Sequence, residues 1–501
     1  MDIFLSSATE VLAPTNILIL LAATFLGIII GAIPGLTVTM SVALAVPLTL
    51  WMDTTPAMML LLGLYGSGIY GGSISACLLN APGTPASAAT ALDGYELGKQ
   101  GKALKALKVA LWASVYGGLF SIVLLVLIAP QLAQVALKFG PAEIACLLVF
   151  ALTVVAVLSG ESILKGLFAA ALGMSLATIG ADPMLMIPRF TFGFDELFDG
   201  LAYIPMLIGL FAIAEMFAQS EQSFRIGATI LDIKKGEKDA NRIDAEDIRR
   251  CAIPVIRSGF LGAFIGMLPG LGAAVASFVG YAETKRASKN PERFGKGAIE
   301  GVAASESANN AVTGSAMIPM LALAIPGDPP TAILLSALMI QGVTVGPLIF
   351  TTNPDVVYTI YITLFLSLVA TAAVAAIFMR PIAQVLRVPK VFLYPIILSM
   401  CVAGSYAIRF NVFDVFVMLG AGVLGYVMRL FGVPVAPLLI AFILTPPFEE
   451  ALRQALIRSE GSLMIFIEHP IALFFLVLAA SAVAFTVWRG RRGTARVADG
   501  D

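Results

Sequence analysis

Thirteen apolar stretches dominate the chain, at 16–50, 57–92, 109–129, 142–158, 166–181, 201–218, 258–282, 298–350, 354–379, 391–403, 415–431, 437–448 and 470–488. A membrane helix needs about 20 mostly apolar residues, and most of these stretches approach or exceed that length. A soluble fold would have too little polar residue left to cover its surface. The composition agrees: 59% of the 501 residues are AVILMFWYC and 13% are charged, about half the usual charged share. Mean hydropathy is +0.93. An ordinary cytosolic enzyme, a disordered chain and a nucleic-acid binder are excluded. With a net charge of −1, no basic field seeks DNA. The expected fold is an all-α polytopic membrane protein.

Cys77, Cys146, Cys251 and Cys401 lie far apart, with neither metal nor redox spacing. They read as small membrane-core hydrophobes. The lone histidine, His469, sits beside Pro470 in a polar turn, so no transition-metal site is expected. The N-terminal MDIFLSSATEVLAPTN lacks the positive region of a signal peptide.

Lys and Arg set the orientation. Segments 93–108, 219–257, 283–297, 380–390 and 489–496 hold 24 of the 31 basic residues. If these are cytoplasmic, 50–57, 130–141, 182–200, 350–354, 404–414 and 449–469 face out, with five basic residues between them. Stretch 258–282 is flanked by basic residues on both sides, so it must enter and leave on the cytoplasmic side. It breaks at GMLPGLG, 266–272, the form of a re-entrant helix pair. Stretch 16–50 breaks likewise at GAIPGLT, 31–37, and would open outward. The expectation is roughly 11 spans plus two re-entrant hairpins, with the N-terminus outside and the C-terminus cytoplasmic.

The two breaks align at Pro34 and Pro269, an offset of 235. LLNAPGTPASA at 78–88 matches ALAIPGDPPTA at 322–332, with Gly83 on Gly327, an offset of 244. Basic segment 93–108 pairs with an uncharged partner near 337–352, and basic 283–297 pairs with 50–57, which carries only Asp53. Equivalent loops thus face opposite sides, as in the inverted-topology repeats of many secondary transporters. The expected division is 14–218 as first membrane repeat, 219–257 as cytoplasmic linker and 258–450 as second, inverted repeat. An outer amphipathic segment, a final span and a basic tail would fill 451–501.

Irregular backbone at membrane depth is tolerated only inside protein or beside water. A helix restarting after Pro-Gly directs free N–H groups and a positive dipole end into a cavity. Four such ends could hold a small anion without a buried Arg or Lys. Thr37, Thr39, Ser73, Ser75, Asn80 and Thr84 add hydroxyls and an amide. The other reading of a Pro-Gly break is a structural kink. In SESANNAVTGS, 305–315, Glu306, Asn309 and Asn310 share one helix face. An intramembrane acid is a functional candidate by default. Glu306 and Asp328 could bind Na⁺ or carry a proton; equally, Glu306 could pair structurally and Asp328 could cap a helix. YGSGIYGGS, 65–73, serves close helix packing or lines a cavity. Lys99, Lys102, Lys105 and Lys108 read as positive-inside anchors.

GAIPGLT, LLNAPGTPASAATALDGYELGKQGKA, GMLPGLGAAVASF, SESANNAVTG and IPGDPPTAILLSAL, in this order, resemble the large membrane subunit of the tripartite tricarboxylate transporters, the TctA family. The resemblance covers about 16–450. It implies a permease of the bacterial inner membrane that takes up small carboxylates by symport, driven by Na⁺ or H⁺ and without ATP. Its implied partners are a small TctB-like membrane subunit and a TctC-like periplasmic solute-binding protein. The chain has no GxxxxGK[ST]. Carried over by motif, the substrate site would comprise Pro34, Gly35, Leu36, Thr37, Ser73, Asn80, Pro82, Gly83, Thr84, Pro269, Gly270, Leu271, Asn309, Asn310, Pro326 and Gly327. Glu306 and Asp328 would couple the ion.

The implied mechanism is alternating access about a midplane site, with the binding protein docking on 182–200 or 449–469. Asp182, Asp195, Glu196, Asp199, Glu449 and Glu450 make those loops acidic. The rival readings are a stand-alone anion symporter, an intramembrane enzyme and a channel. The enzyme would need a nucleophile and base in one pocket, and only Glu306 with Ser305 or Ser307 approaches that.

Overall fold

The computed structural model describes residues 2–158, 162–222, 231, 241–386 and 390–498. Parts of the linker expected at 219–257, residues 223–230 and 232–240, therefore lie outside the described residues. Helices carry the fold. After α1 (Asp2–Val11), α2 (Pro14–Ala32) starts with a proline in its first turn, where no N–H is needed. It ends because Pro34 pushes Ile33 out of the helical region, to φ −79° and ψ 116°. Then come α3 (Val38–Thr49), α4 (Thr54–Leu79), α5 (Ala88–Lys99), α6 (Ala103–Ala136), α7 (Pro141–Leu158) and α8 (Ile163–Ala177). A two-residue ribbon, β1 (Gly180–Ala181) against antiparallel β2 (Pro188–Arg189), precedes α9 (Tyr203–Leu207). A π turn over Ile208–Ile213 joins α9 to α10 (Ala214–Gln222).

The second half opens with α11 (Ala245–Gly266), whose N-terminus Asp244 and Asp247 cap reciprocally. It continues through α12 (Gly272–Ala287), α13 (Ile299–Ser315), α14 (Met317–Leu323), α15 (Pro329–Ile340), α16 (Ile349–Thr352) and α17 (Pro354–Val385). Last come α18 (Lys390–Arg409), α19 (Val412–Leu430), α20 (Val435–Arg458), α21 (Ile465–Glu468) and α22 (Pro470–Ala498). The acidic stretch at 449–468 is divided between the end of α20 and α21.

Among the described residues seven helices are long and apolar enough to cross a membrane, which makes this an all-α multi-pass membrane protein. Others are too short: α3, α5 and α15 have 12 residues each, about 18 Å against a core of about 30 Å. Large side chains such as Leu18, Phe25, Phe260, Phe264 and Phe416 are exposed on the outer helices, an apolar belt suited to lipid.

The halves use small residues in the same way. On α2, Gly27 and Gly31 let the backbone close on Ser67 and Gly68 of α4. On α11, Gly262 and Gly266 close on Ala308, Val312 and Ser315 of α13. Both glycine pairs have the four-residue spacing that lets membrane helices approach, and they lie 235 positions apart. Two helices end in left-handed residues 244 positions apart, α4 at Asn80 (φ 53°) and α14 at Ala324 (φ 58°).

Candidate functional site

The polar centre of the molecule is α13. Every residue from Ile299 to Ser315 is buried except Glu300, because α5, α6, α11 and α12 pack around the helix. Glu306 has no solvent exposure. Its carboxylate accepts from Thr90 Oγ1 at 2.5 Å, Ser114 Oγ at 3.0 Å and Asn310 Nδ2 at 3.5 Å. The same Asn310 amide donates to Ser114 Oγ at 2.8 Å and to the Glu306 carbonyl at 3.1 Å. Ser73 faces the carboxylate from α4. Thus the sequence motif on one helix meets hydroxyls from α4, α5 and α6. Among the described residues no Lys, Arg or His forms an ion pair with Glu306. Asn309 is fully buried, and neither atom of its amide has a hydrogen-bond partner.

The four Pro-Gly breaks form two adjacent pairs. In the first half, Gly35 turns the chain at φ +93°, Leu36 is buried, and Thr37 caps α3 by accepting from the Met40 amide at 3.2 Å. A Cβ on Gly83 would overlap the Gly31 carbonyl oxygen, so the break around Pro82 and Gly83 packs directly on α2. Gly83 donates its amide to the Gly72 carbonyl at 3.3 Å. Thr84 pairs with Ser87, hydroxyl to hydroxyl at 3.2 Å. In the second half, Gly270 donates to the Gly327 carbonyl at 2.8 Å, which joins the Pro269–Leu271 and Pro326–Gly327 breaks. Pro326 and Gly327 are buried.

Asp328 caps α15. Its Oδ1 accepts from the Thr331 amide at 2.9 Å, and its own amide donates to Thr331 Oγ1 at 2.9 Å. The Tyr65 hydroxyl, from α4, donates to Asp328 Oδ2 at 3.0 Å. Asp328 and Glu306 are thus held separately, each against hydroxyls of the first half. Asn80 is exposed, whereas Glu306 is fully buried.

Two larger cavities approach the breaks. One of about 420 Å³ reaches Ala324 between Pro183, Ser336, Val343, Pro446 and Glu450. The other, about 510 Å³, reaches Thr37 between Phe211, Glu215, Arg429 and Pro434. Arg429 pairs with Glu215 there.

Thr90, Ser114 and Asp93 were not among the expected site residues, although Thr90 and Asp93 stand inside the run LLNAPGTPASAATALDGYELGKQGKA. Asp93, fully buried on α5, accepts from the amides of Gly295, Gly297 and Ala298 at 2.8 Å each and from the Tyr281 hydroxyl at 2.9 Å. Thr90 and Asp93 lie three apart on α5, so one helix face grips both Glu306 and the turn leading into α13. The available signal for Thr90 and Asp93 was their place in the run that follows the break at Pro82 and Gly83; Ser114 had none.

The acidic loops behave differently from a free docking patch. Asp182 pairs with Arg453 at 2.8 Å, Arg189 with Glu449 at 2.7 Å, and Arg453 with Glu449 at 2.6 Å. The Leu185 amide, the Met184 amide and the Arg453 guanidinium hold the Asp182 carboxyl below its ordinary range, against the opposing effect of desolvation. Glu449 raises Arg189. The carboxylates of Asp182 and Glu449 are consumed inside the loop, while Asp195, Glu196, Asp199 and Glu450 stay exposed. Beside them Leu185, Met186, Phe190 and Phe192 are also exposed. His469 pairs with Glu143 at 2.6 Å, and all four cysteines are free and buried.

The family model described as the tripartite tricarboxylate transporter TctA family matches residues 17–440. An uncharacterised 52.8 kDa protein in the TAR-I ttuC′ 3′ region of Agrobacterium vitis is 37% identical over 479 residues, 95% of this chain and 94% of the relative. A second uncharacterised protein of that organism, in the TAR-II ttuC′ 3′ region, is 39% identical over 222 residues, 44% of this chain and 92% of the relative. No solved structure matches the chain.

Proposed function

The chain belongs to the tripartite tricarboxylate transporter TctA family, and from that premise we propose that it is the permease of a binding-protein-dependent secondary transporter importing small tri- or dicarboxylates. The observation that carries this reading is the pairing of helix breaks. Asn80 with Thr84 and Ala324 with Asp328 recur at one offset, and each break abuts a second Pro-Gly turn of its own half. Such breaks direct backbone N–H groups at a carboxylate without a buried cation.

The halves, 14–218 and 258–450, act as inverted repeats joined by a cytoplasmic linker. The paired glycines at an offset of 235 support duplication. Roughly 11 spans and two re-entrant hairpins accommodate the short α3 and α12. The cavity at Ala324 serves as the outer approach and the cavity at Thr37 as the inner one. Pro34–Thr37, Pro82–Thr84, Pro269–Leu271, Pro326–Gly327, Ser73, Asn80, Asn309 and Asn310 contact substrate as one half moves against the other. Glu306 couples the ion; Asp328, already engaged as a cap, contributes through the position of α15. The protein works in the bacterial inner membrane, N-terminus outside, with a small membrane subunit and a periplasmic binding protein.

The deciding experiment is uptake of labelled carboxylates into proteoliposomes under an imposed Na⁺ or H⁺ gradient, with and without both partner subunits. Uptake only with all components and a gradient is expected. Gradient-driven uptake by this chain alone would replace the tripartite reading with a stand-alone symporter. Downhill flux that never saturates would point to a channel.

A further inference from the structure

We propose that a sodium ion binds in the small cavity where α4, α6, α13 and α17 cross, and that it compensates the buried Glu306 carboxylate. The cavity measures about 20 Å³ and is lined by Gly66, Ser121, Asn310, Thr313 and Ser367, among others. That volume holds one particle the size of a water molecule.

Two features of the lining call for a guest. Thr313 Oγ1 and Ser367 Oγ are buried and have no hydrogen-bond partner. Orphaned buried hydroxyls cost stability unless something meets them. They are oxygen donors, the type that hard cations take. The wall also includes three glycines, Gly66, Gly118 and Gly314, whose missing side chains leave the space open. A Cβ on Gly66 would come within 3.0 Å of Ser367 Oγ.

Charge separates a cation from a water molecule. Glu306 is fully buried, and the groups donating to it, Thr90, Ser114 and Asn310, are all neutral. Neutral donors stabilise an anion but leave its charge in place, and an uncompensated buried charge is strongly unfavourable. Asn310 belongs to both places: it bonds Glu306 and lines the cavity. A cation there sits one side chain from the carboxylate. A divalent metal is disfavoured, since no cluster of three His, Cys, Asp or Glu side chains exists among the described residues. The lining draws on both halves, Gly66 and Ser121 from one and Thr313 and Ser367 from the other. A bound ion would therefore link them. Its place in transport rests on the reading above; its binding does not.

The test uses the purified full chain in detergent and follows thermal unfolding as Na⁺ replaces K⁺ at constant ionic strength. Na⁺ is expected to raise the midpoint saturably and K⁺ to leave it unchanged. Ser367→Ala and Thr313→Val should each raise the half-saturating Na⁺ concentration by about tenfold, the usual scale for disturbing a metal's surroundings. Gly66→Ala, which fills the cavity and brings a methyl group within 3.0 Å of Ser367 Oγ while keeping every donor oxygen, should do the same and covers the case in which another variant does not fold. Equal midpoints in Na⁺ and K⁺ for the unaltered chain would overturn the proposal. So would Na⁺ dependence unchanged in the variants that fold. Loss of uptake with Na⁺ binding intact would instead strike the transporter reading.

Discussion

Thr90 Oγ1 lies 2.5 Å from Glu306 Oε1, which ties the helix after one Pro-Gly break to the helix that precedes another. α5 begins where the chain recovers from the break at 80–87, and α13 leads into the break at 324–328. Any motion of one half against the other must keep this bond or exchange it.

Glu306→Gln keeps the shape of the site and removes the charge. Uptake in proteoliposomes should lose its dependence on the coupling ion, while the preference among carboxylates stays. Thr90→Val removes a hydrogen bond to a charged group, for which the typical cost is about 1.5–3 kcal/mol, and should lower the thermal midpoint. Glu306→Gln with unaltered ion dependence would take Glu306 out of the coupling role.

Much of this was legible in the sequence because membrane helices declare themselves by length and by charge-free composition. The breaks were legible for a related reason: Pro34, Pro82, Pro269 and Pro326 stand inside apolar runs where a helix would otherwise continue. Their partners were not. Thr90 and Ser114 are ordinary residues of apolar stretches, and only packing brings them to Glu306, 216 and 192 positions away. Asp328 shows the opposite case. GDPPT reads locally as a capped helix start, and the structure builds that cap, but the Tyr65 hydroxyl on it is a long-range contact that no local pattern carries. In the acidic segments 182–200 and 449–469, charge counts cannot say that Asp182 and Glu449 are paired with Arg453 and Arg189.

Asp328→Asn separates capping from ion coupling. Asn caps as well as Asp, so Asp328→Asn should leave the thermal midpoint close to that of the unaltered chain. Asp328→Ala removes the cap and strands the Tyr65 hydroxyl, and should cost about 1–3 kcal/mol. If the Asn variant loses ion-coupled uptake while folding normally, Asp328 does more than cap α15.

Gly83 marks the closest approach of the break to α2. A methyl group there would overlap the Gly31 carbonyl and come within 2.9 Å of Ser75 Oγ. Backbone gives way less easily than a flexible side chain, so Gly83→Ala should destabilise by about 1–3 kcal/mol. A control is Gly420→Ala, since nothing lies within 4 Å of a Cβ there. Equal thermal midpoints for the two variants would mean the break can move away from α2.

The loop over 182–200 should loosen in acid. Asp182 is held below its ordinary range, chiefly by the Leu185 amide, with the Met184 amide and Arg453 adding to it. A carboxyl lowered by folding contributes stability that is fully present above its unfolded value, about 3.9. That contribution is lost as pH falls through the lower, folded value. Arg189 is raised by Glu449, so its contribution is present below its unfolded value and is lost only in strong alkali. Limited proteolysis of the loop should therefore be flat from neutral pH to about pH 5 and accelerate below about pH 4. Asp182→Asn should speed cleavage at neutral pH and flatten the acid rise. A loosening centred near pH 6 would overturn the assignment of the transition to Asp182.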